Sequence, residues 1–214
     1  MNAKKPVEPR WQRRAEDRPR EICAAALGIF AEKGFAAARL DEIARRAGVS
    51  KGTLYLYFSS KEELFRAVVR DTVAPNIDVV RSIVQGVNLP FDQIVRMLLP
   101  RFAIVSQNVP VGAVAKMVIG ESRNFPELAK VWHDEVVSKV LAILSELIGR
   151  GQARGEVRPG DPRLHAMSLM GAMLMGLLWR ETLEPAGGEP IDLDALARQH
   201  AETILSGMLL GNAR

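Results

Sequence analysis

The sequence predicts an all-α protein with a small N-terminal helical module and a larger helical domain after it. Apolar residues recur at helical spacing along most of the 214 residues, and no alternating apolar and polar run predicts a strand. Proline and glycine stand at intervals that suit helix starts and ends. A hydrophobic content of 48% with 25% charged residues is typical of a soluble globular protein, and the length suits either one large core or a small module with a larger domain.

Residues 40 to 58 have the pattern of two short helices joined by a tight turn. Ile43 and the small Ala44 lie on the apolar face of the first helix. Gly48 can adopt the positive φ that ends this helix, and the Ser50 hydroxyl can cap the next one. Such a pair, crossed at a steep angle, can present its second helix to the major groove of DNA.

The second helix of this pair is predicted to start at about Lys51 and to bury Leu54 and Phe58, which lie one turn apart. The side chains left on its leading and outer surfaces are candidates for contacts in the groove. These candidates are Lys51, Gly52, Thr53, Tyr55, Leu56 and Tyr57.

A third helix is predicted directly afterwards, because Ser60 and Glu63 match an S-x-x-E capping box. Lys61 is then held beside a helix N-terminus, where it is a candidate for a phosphate contact. The alternative is that residues 40 to 58 are two packed helices of an ordinary all-α protein. The agreement of small residue, glycine turn and caps favours DNA binding.

Residues 20 to 65 resemble the DNA-binding domain of TetR-family transcriptional repressors. The resemblance rests on REICAAALGIFAEKGF as a first helix and on LDEIARRAGVSKGTLYLYFSSKEELF as the following helices. It implies a three-helix helix-turn-helix DNA-binding domain followed by a larger helical ligand-binding and dimerisation domain. It also implies a repressor that binds a palindromic operator as a homodimer and is released by a small effector.

By position, the resemblance implies a role in DNA binding for eight residues. Tyr55 and Lys61 fall where the family holds phosphates, and Arg39 stands where many members have a backbone-contacting threonine. Asp41, which stands where some members have a basic residue, is not one of the eight. The residues that fall where the family approaches base edges are Lys51, Gly52, Thr53, Leu56 and Tyr57.

We expect a basic, disordered arm over residues 1 to 19, the DNA-binding domain over 20 to 66 and the ligand-binding and dimerisation domain over 67 to 214. Residues 1 to 20 contain seven basic and three acidic side chains, which accounts for the formal net charge of +4. The arm can lie along DNA phosphates and the minor groove, or it can be a solvated leader without a contact.

The larger domain is predicted to contain helices separated by proline and glycine. Pro75 predicts a kink or restart of the helix that begins after Ser60, since helical spacing resumes at Ile77. The further predicted helices span about 91 to 106, 111 to 121, 126 to 150, 162 to 184 and 192 to 210.

The helix predicted at 162 to 184 is apolar almost all round, so it must be covered on every side. The resemblance implies that it pairs, together with the last helix, with the same helices of a second copy. An ordinary monomeric core is the alternative. The expected interface residues are Gly171, Leu174, Leu178, Ala197, Ile204 and Met208.

The resemblance also implies an effector pocket among the helices between residues 91 and 184. Methionine and aromatic side chains are more often core than pocket, yet flexible thioethers suit an adaptable apolar site, so we expect a hydrophobic effector. Arg101, Gln107, Glu121 and His133 are the polar candidates. The full set of expected pocket residues is Met97, Arg101, Phe102, Met117, Glu121, Trp132, His133, Met170 and Met173.

An enzyme, a metal site and a cofactor are not expected, because His133, His165 and His200 lack partners at ligand spacing. The lone Cys23 is expected to be a buried, inert thiol. The sequence shows neither a signal peptide nor an apolar run of membrane-spanning length, so we expect a cytoplasmic protein. The alternative function is a helix-turn-helix activator, or a regulator controlled by a protein partner.

Overall fold

The computed structural model describes residues 10 to 86 and 88 to 210, with side chains from residue 17 onward. Within these residues the chain is helical and contains no strand, apart from one isolated antiparallel bridge between Val157 and Leu209. The predicted all-α fold is therefore confirmed. The chain divides into two compact units, Met1–Asp71 and Thr72–Arg214, which we call the N-terminal and C-terminal domains.

The N-terminal domain is built around three phenylalanine rings. The rings of Phe30 and Phe35 lie 5.5 Å apart, and the ring of Phe65 lies edge-on to both, at 5.9 and 6.0 Å. Helix α1 packs against α2 and α4, and α2 packs against α3. The helices of this domain are α1 (Arg10–Ala37), α2 (Leu40–Arg46), α3 (Lys51–Tyr57) and α4 (Lys61–Val68).

The first helix differs from the sequence prediction at both ends. It begins at Arg10, so residues 10 to 19 are helical where an irregular arm was expected. Residues 1 to 9 of that arm lie outside the described residues. Near its other end, Gly34 has a φ of 79° and a ψ of 173°, which interrupts the helical backbone just before Phe35.

After α4 the backbone stays helical through a π turn at Val69–Val73 into α5, which begins at Ala74, so the helical hydrogen-bond pattern changes next to Pro75, where the sequence predicts a kink or restart. Pro75 is the second residue of α5 and directly follows the π turn, where the helical hydrogen-bond pattern changes. A second π turn at His133–Val137 divides the helix predicted over 126 to 150. The remaining helices are α5 (Ala74–Gly86), α6 (Phe91–Asn108), α7 (Val111–Glu121), α8 (Pro126–Trp132), α9 (Ser138–Ala153), α10 (Pro162–Thr182) and α11 (Leu193–Met208).

Helix α10 is the centre of the C-terminal domain, because it packs against α7, α9 and α11, while α11 also packs against α6. Leu169 and Leu177 of α10 are buried, as are Leu147 and Ile148 of α9. The predicted bounds of α7 agree with the structure. Helices α6 and α10 end two residues from the predicted position, and α11 begins one residue later and ends two residues earlier than predicted.

One end of the C-terminal domain joins three segments that are distant in sequence. The backbone N–H of Phe91, at the start of α6, donates to the Glu156 carboxylate at 2.8 Å. Leu210 donates its N–H to the Glu156 carbonyl at 3.1 Å, and Arg158 donates to the Met208 carbonyl at 2.9 Å. These hydrogen bonds connect the start of α6, the segment after α9 and the end of α11.

Candidate nucleic-acid interface

The turn between α2 and α3 is held by glycine geometry and by a close helix crossing. Gly48 has a φ of +66°, a region that residues with a Cβ rarely adopt. The N–H of Val49 donates to the Ala44 carbonyl at 2.9 Å, which closes the end of α2. Ala44 is 2% exposed, so the two helices approach closely where the sequence predicted a small residue.

Helix α3 is capped as predicted. The Ser50 hydroxyl oxygen accepts the backbone N–H of Thr53 at 3.0 Å and lies 2.8 Å from the Thr53 hydroxyl oxygen. The cap therefore satisfies one of the open N–H groups at the helix start. It also gives the Thr53 hydroxyl a partner within the helix.

The two faces of α3 are clearly different. Leu54 is fully buried and Phe58 is 6% exposed, as the sequence predicted. On the opposite face Leu56 is 83% exposed, which makes it the most exposed large apolar side chain of the described residues, and Tyr55 is 46% exposed. Exposed positions also include Lys51 and Gly52, while Thr53 and Tyr57 are half-buried.

Three charged side chains meet at the N-termini of α2 and α3. The Lys51 ammonium lies 2.7 Å from one carboxylate oxygen of Asp41, and the Arg39 guanidinium lies 3.8 Å from the other. The hydrogen bond from Lys51 lowers the pKa of Asp41, and the same bond raises the pKa of Lys51. Asp41 is unusual for its position in the sequence, but the sequence gives no signal that Lys51 is its partner.

Lys61 has a different role from the expected phosphate contact. Its ammonium donates to the carbonyl oxygens of Phe35, Ala36 and Ala38 at 2.7, 3.2 and 3.1 Å. The same ammonium lies over the Phe35 ring, 4.5 Å from the centroid. An ammonium has three protons, and three carbonyl acceptors occupy them. Lys61 therefore caps the end of α1 instead of pointing to a ligand.

The predicted capping box of α4 is formed with one change. The Ser60 hydroxyl accepts the N–H of Glu63 at 3.1 Å, as expected. The Glu63 carboxylate reaches back to Ser59, where it accepts the backbone N–H at 2.7 Å and the hydroxyl at 2.6 Å. These hydrogen bonds from Ser59 lower the pKa of Glu63. The N-terminus of α4 is thus fixed from both sides.

Two ion pairs between α1 and α2 were not predicted. The Arg46 guanidinium donates two hydrogen bonds to the Glu32 carboxylate, at 2.7 and 2.8 Å. The Lys33 ammonium lies 2.6 Å from the Glu42 carboxylate. Both pairs join residues from different helices, so sequence spacing gave no signal for them.

The residues expected at a dimer interface fall into two groups. Gly171 and Leu174 of α10 are exposed, and Leu178 and Ile204 are half-buried. The prediction was wrong for Ala197 and Met208, which are 0% and 2% exposed because they pack inside their own protomer. Apolar spacing alone does not distinguish a core contact from an intermolecular one.

The residues expected in an effector pocket are also divided. Met117 of α7 and Met173 of α10 are buried on two helices that pack together. Four of the expected residues are half-buried: Phe102, Glu121, Trp132 and Met170. Three are exposed: Met97, Arg101 and His133. The ring of His133 lies 2.9 Å from the carboxylate of Asp134. A cleft of about 720 Å³ opens elsewhere, lined by Asp92, Gly155, Glu156, Arg158, Leu205, Ser206, Leu209 and Leu210.

The described residues contain no group of three or more histidine, cysteine, aspartate or glutamate side chains arranged to hold a metal ion. Across those same residues, no single helix has both the length and the apolar character needed to cross a membrane. The consecutive pair α6 and α7, bent by 81°, meets that test by length and composition only.

Comparisons with known proteins agree with this geometry. The model of the bacterial regulatory proteins of the TetR family matches residues 22–68, which include α2, the turn and α3. The model of the C-terminal domain of AefR-like transcriptional repressors matches residues 95–206, and thus more than half of the chain.

The chain is 24% identical to the fatty acid metabolism regulator protein of Bacillus subtilis over 191 residues, covering 88% of this chain and 94% of that protein. Over 67 residues it is 45% identical to the transcriptional activator FasR of Mycolicibacterium smegmatis, covering 31% of each. The crystal structure of the regulator FadR from Bacillus subtilis in complex with stearoyl-CoA superposes with a TM-score of 0.72 at 22% identity, over 88% and 98% of the two chains. The helix-turn-helix geometry and these matches show that the chain is a DNA-binding transcriptional regulator of the TetR family.

Proposed function

We propose that this regulator is a repressor that binds a palindromic operator as a homodimer and is released by a hydrophobic effector. The observation on which the proposal rests is the capped helix α3, whose outer face is exposed while its inner face is buried. The residues proposed to contact DNA are Arg39, Lys51, Gly52, Thr53, Tyr55, Leu56 and Tyr57. Lys61 is left out because its ammonium is bound to carbonyl groups of α1.

A homodimer is supported by an apolar stripe along α10. Leu164, Met167 and Leu174 are 61%, 53% and 41% exposed, at positions that lie on one side of the helix. Gly171 lies among them, and a Cβ added there would meet no atom within 4 Å. A contiguous apolar face of this kind is typical of a protein interface. An isologous dimer also matches the two-fold symmetry of a palindromic operator.

A hydrophobic effector is supported by the side chains between α7 and α10. Met117 and Met173 are buried there, and methionine adapts well to apolar ligands. The π turn at His133–Val137 directly follows Trp132, and such turns are frequent at functional sites. Since one relative is named as a fatty acid metabolism regulator and another was solved with stearoyl-CoA, we propose a long-chain acyl thioester as the effector class.

Release is proposed to act through α4. The backbone stays helical from the capped start of α4 through the π turn into α5 of the C-terminal domain. Its first residue, Lys61, holds the end of α1, so a tilt of α4 would move the helices of the DNA-binding domain with it. In a dimer this changes the separation of the two α3 helices, which must match half-sites about 34 to 36 Å apart.

The experiment is a gel shift with the DNA upstream of the chain's own gene, followed by titration with stearoyl-CoA. The expected result is a retarded complex that the acyl thioester dissolves. Calorimetry then measures stearoyl-CoA binding with and without saturating operator. Reciprocal coupling predicts that operator weakens acyl-thioester binding by about 5- to 150-fold. Equal affinities in the two titrations would contradict the proposed release.

The second candidate function is activation of transcription. It is favoured by the 45% identity to an activator, which extends over 67 residues, or 31% of this chain, and so leaves most of the chain without a comparison. The position of the bound site separates the two functions. Repression is supported if the bound site overlaps a promoter and expression of the gene behind that promoter rises when the gene for this chain is deleted. Activation is supported if expression of the gene behind that promoter falls on the same deletion.

A further inference from the structure

The ion cluster at the start of α2 and α3 places an acidic side chain directly against a lysine of the DNA-contacting surface. Lys51 is the first residue of α3, and its side chain is 57% exposed. Its ammonium lies 2.7 Å from the Asp41 carboxylate, whose side chain is 49% exposed. The contact therefore lies at the surface, and the two groups are open to solvent on their other sides.

Asp41 also faces a second cation. The Arg39 guanidinium lies 3.8 Å from the other carboxylate oxygen, and the Arg39 side chain is 78% exposed. Two of the cations that the proposed DNA surface offers thus share one carboxylate. The remaining charge of the three groups together is +1 instead of the +2 that the two cations alone would provide.

A cation that is already paired is less available to a phosphate. Contacts between lysine or arginine and phosphates supply nearly all of the affinity for non-specific DNA. Each contact makes the slope of log affinity against log salt concentration, which we call the salt slope, steeper by about 0.9. Lys51 must leave Asp41, or share its protons with it, before it can neutralise a phosphate.

We propose that Asp41 is a positioning residue that holds Lys51 and so weakens non-specific DNA binding. It acts through Lys51 and needs no contact with DNA of its own. The proposal rests on DNA binding by the α2 and α3 surface, and it adds a restraint that keeps the regulator from being retained on arbitrary sequence. The lowered pKa of Asp41 is consistent with a carboxylate that stays ionised in this pair.

The test measures binding of the full chain to a short duplex of arbitrary sequence over a range of salt concentrations. Asp41→Asn keeps the size of the side chain and removes its charge. We expect its affinity to rise by about 5- to 10-fold at about 0.1 M salt, and its salt slope to steepen by about one unit, because one cation is released to a phosphate. Asp41→Glu retains the carboxylate and should keep the wild-type slope.

The matched control is Glu42→Gln, which removes the same charge from the neighbouring position of α2. Glu42 is paired with Lys33 of α1, at 2.6 Å, instead of with a residue of α3. If the rise came from net charge alone, the two variants would behave alike. We expect Glu42→Gln to change the slope by much less than Asp41→Asn.

A double variant tests whether the effect depends on Lys51. In a Lys51→Ala background, Asp41→Asn should raise the affinity no more than Glu42→Gln does in the wild-type background. An undiminished rise in that background would overturn the role of Lys51, and an unchanged salt slope in Asp41→Asn would overturn the proposal. If neither the wild type nor any variant binds the duplex at low salt, DNA binding by this surface is contradicted. If the wild type binds and Asp41→Asn binds equally well, only the role of Asp41 is contradicted.

Discussion

The ammonium of Lys61 lies 4.5 Å from the centre of the Phe35 ring and donates a hydrogen bond of 2.7 Å to the Phe35 carbonyl. The first residue of α4 is thereby joined to the last turn of α1, at a point where the ring of Phe35 contacts those of Phe30 and Phe65. Lys61 is half-buried and contributes to the stability of the DNA-binding domain.

Lys61→Ala is expected to destabilise the N-terminal domain by about 1 to 3 kcal/mol, because it leaves carbonyl groups of α1 without their donor and removes a cation–π contact. Urea unfolding followed by circular dichroism measures this loss. Lys61→Met serves as the control: it keeps much of the apolar stem and removes the charge, so it separates the loss of the ammonium contacts from the loss of side-chain packing. A variant with wild-type stability and a salt slope of DNA binding lowered by one unit would instead return Lys61 to a phosphate contact.

Gly171→Arg is expected to convert the proposed dimer to a monomer. The glycine is exposed, and a Cβ added to it meets nothing within 4 Å, so the protomer itself tolerates the change. In the proposed interface the same side chain would bury an unpaired charge between two copies of α10. Sedimentation velocity measures the molecular mass.

Gly120→Arg is the control for this substitution. Gly120 is also an exposed helical glycine with nothing within 4 Å of an added Cβ, but it lies on α7 and is not part of the apolar stripe of α10. We expect this variant to remain dimeric. If Gly171→Arg is folded and has the mass of the wild-type protein, the interface on α10 is excluded.

Leu56→Ala is expected to weaken operator binding without changing stability. A side chain that is 83% exposed makes few contacts within the protomer, so its loss should change the free energy of unfolding by less than about 0.5 kcal/mol. If Leu56 contacts a base in the groove, operator affinity should fall by an amount equivalent to about 1 to 3 kcal/mol. Ile119→Ala is the control variant, because it also removes an exposed apolar side chain, 60% exposed, but from α7 instead of the DNA-binding helix. Equal operator affinity for wild type and Leu56→Ala would remove Leu56 from the interface.

Cys23 is expected to resist thiol reagents in the folded protein. It is 2% exposed, and its burial, with a smaller effect of the Asp71 carboxylate, raises the pKa of the thiol from 9.0 to about 12. At pH 8 the thiolate fraction is about a thousandfold lower than in the unfolded chain. A disulfide reagent should therefore react quickly in urea and only slowly in native buffer. Fast reaction in native buffer would contradict the buried position.

The sign of the pH dependence follows from the same shift. The pKa of Cys23 is higher in the folded than in the unfolded state, so the folded state favours the neutral thiol. The contribution of this thiol to the free energy of unfolding is therefore fully present below pH 9. That contribution is lost as the pH rises from 9 towards 12. Cys23→Ala should lose this part of the alkaline pH dependence of unfolding.

Most of the fold was predictable because its signals are local. Gly48, Ser50 and Ser60 determine where α2 ends and where α3 and α4 begin, and each acts on residues within a few positions. The π turn at His133–Val137 was missed because the apolar residues on each side of it keep helical spacing, and a shift of about one residue between the two sides gave no separate signal.

The part of the site that was not predictable depends on contacts between distant residues. Lys61 and Asp41 were identified as noteworthy, yet their partners, Phe35 and Lys51, are set by how the helices cross. The position of Lys61 beside a helix N-terminus, together with the family resemblance, suggested a phosphate contact. The structure shows instead that a lysine beside a helix N-terminus can bind the C-terminus of another helix.

The hydrogen bonds of Glu156 have a consequence for synthesis of the protein. Phe91, Glu156 and Leu210 come together at one end of the C-terminal domain, although more than a hundred residues separate the first from the last. This end cannot close on the ribosome until Leu210 has left the exit tunnel, whereas every residue of the N-terminal domain has emerged long before. Each new chain thus has a DNA-binding domain able to fold for some time before its regulatory domain is complete.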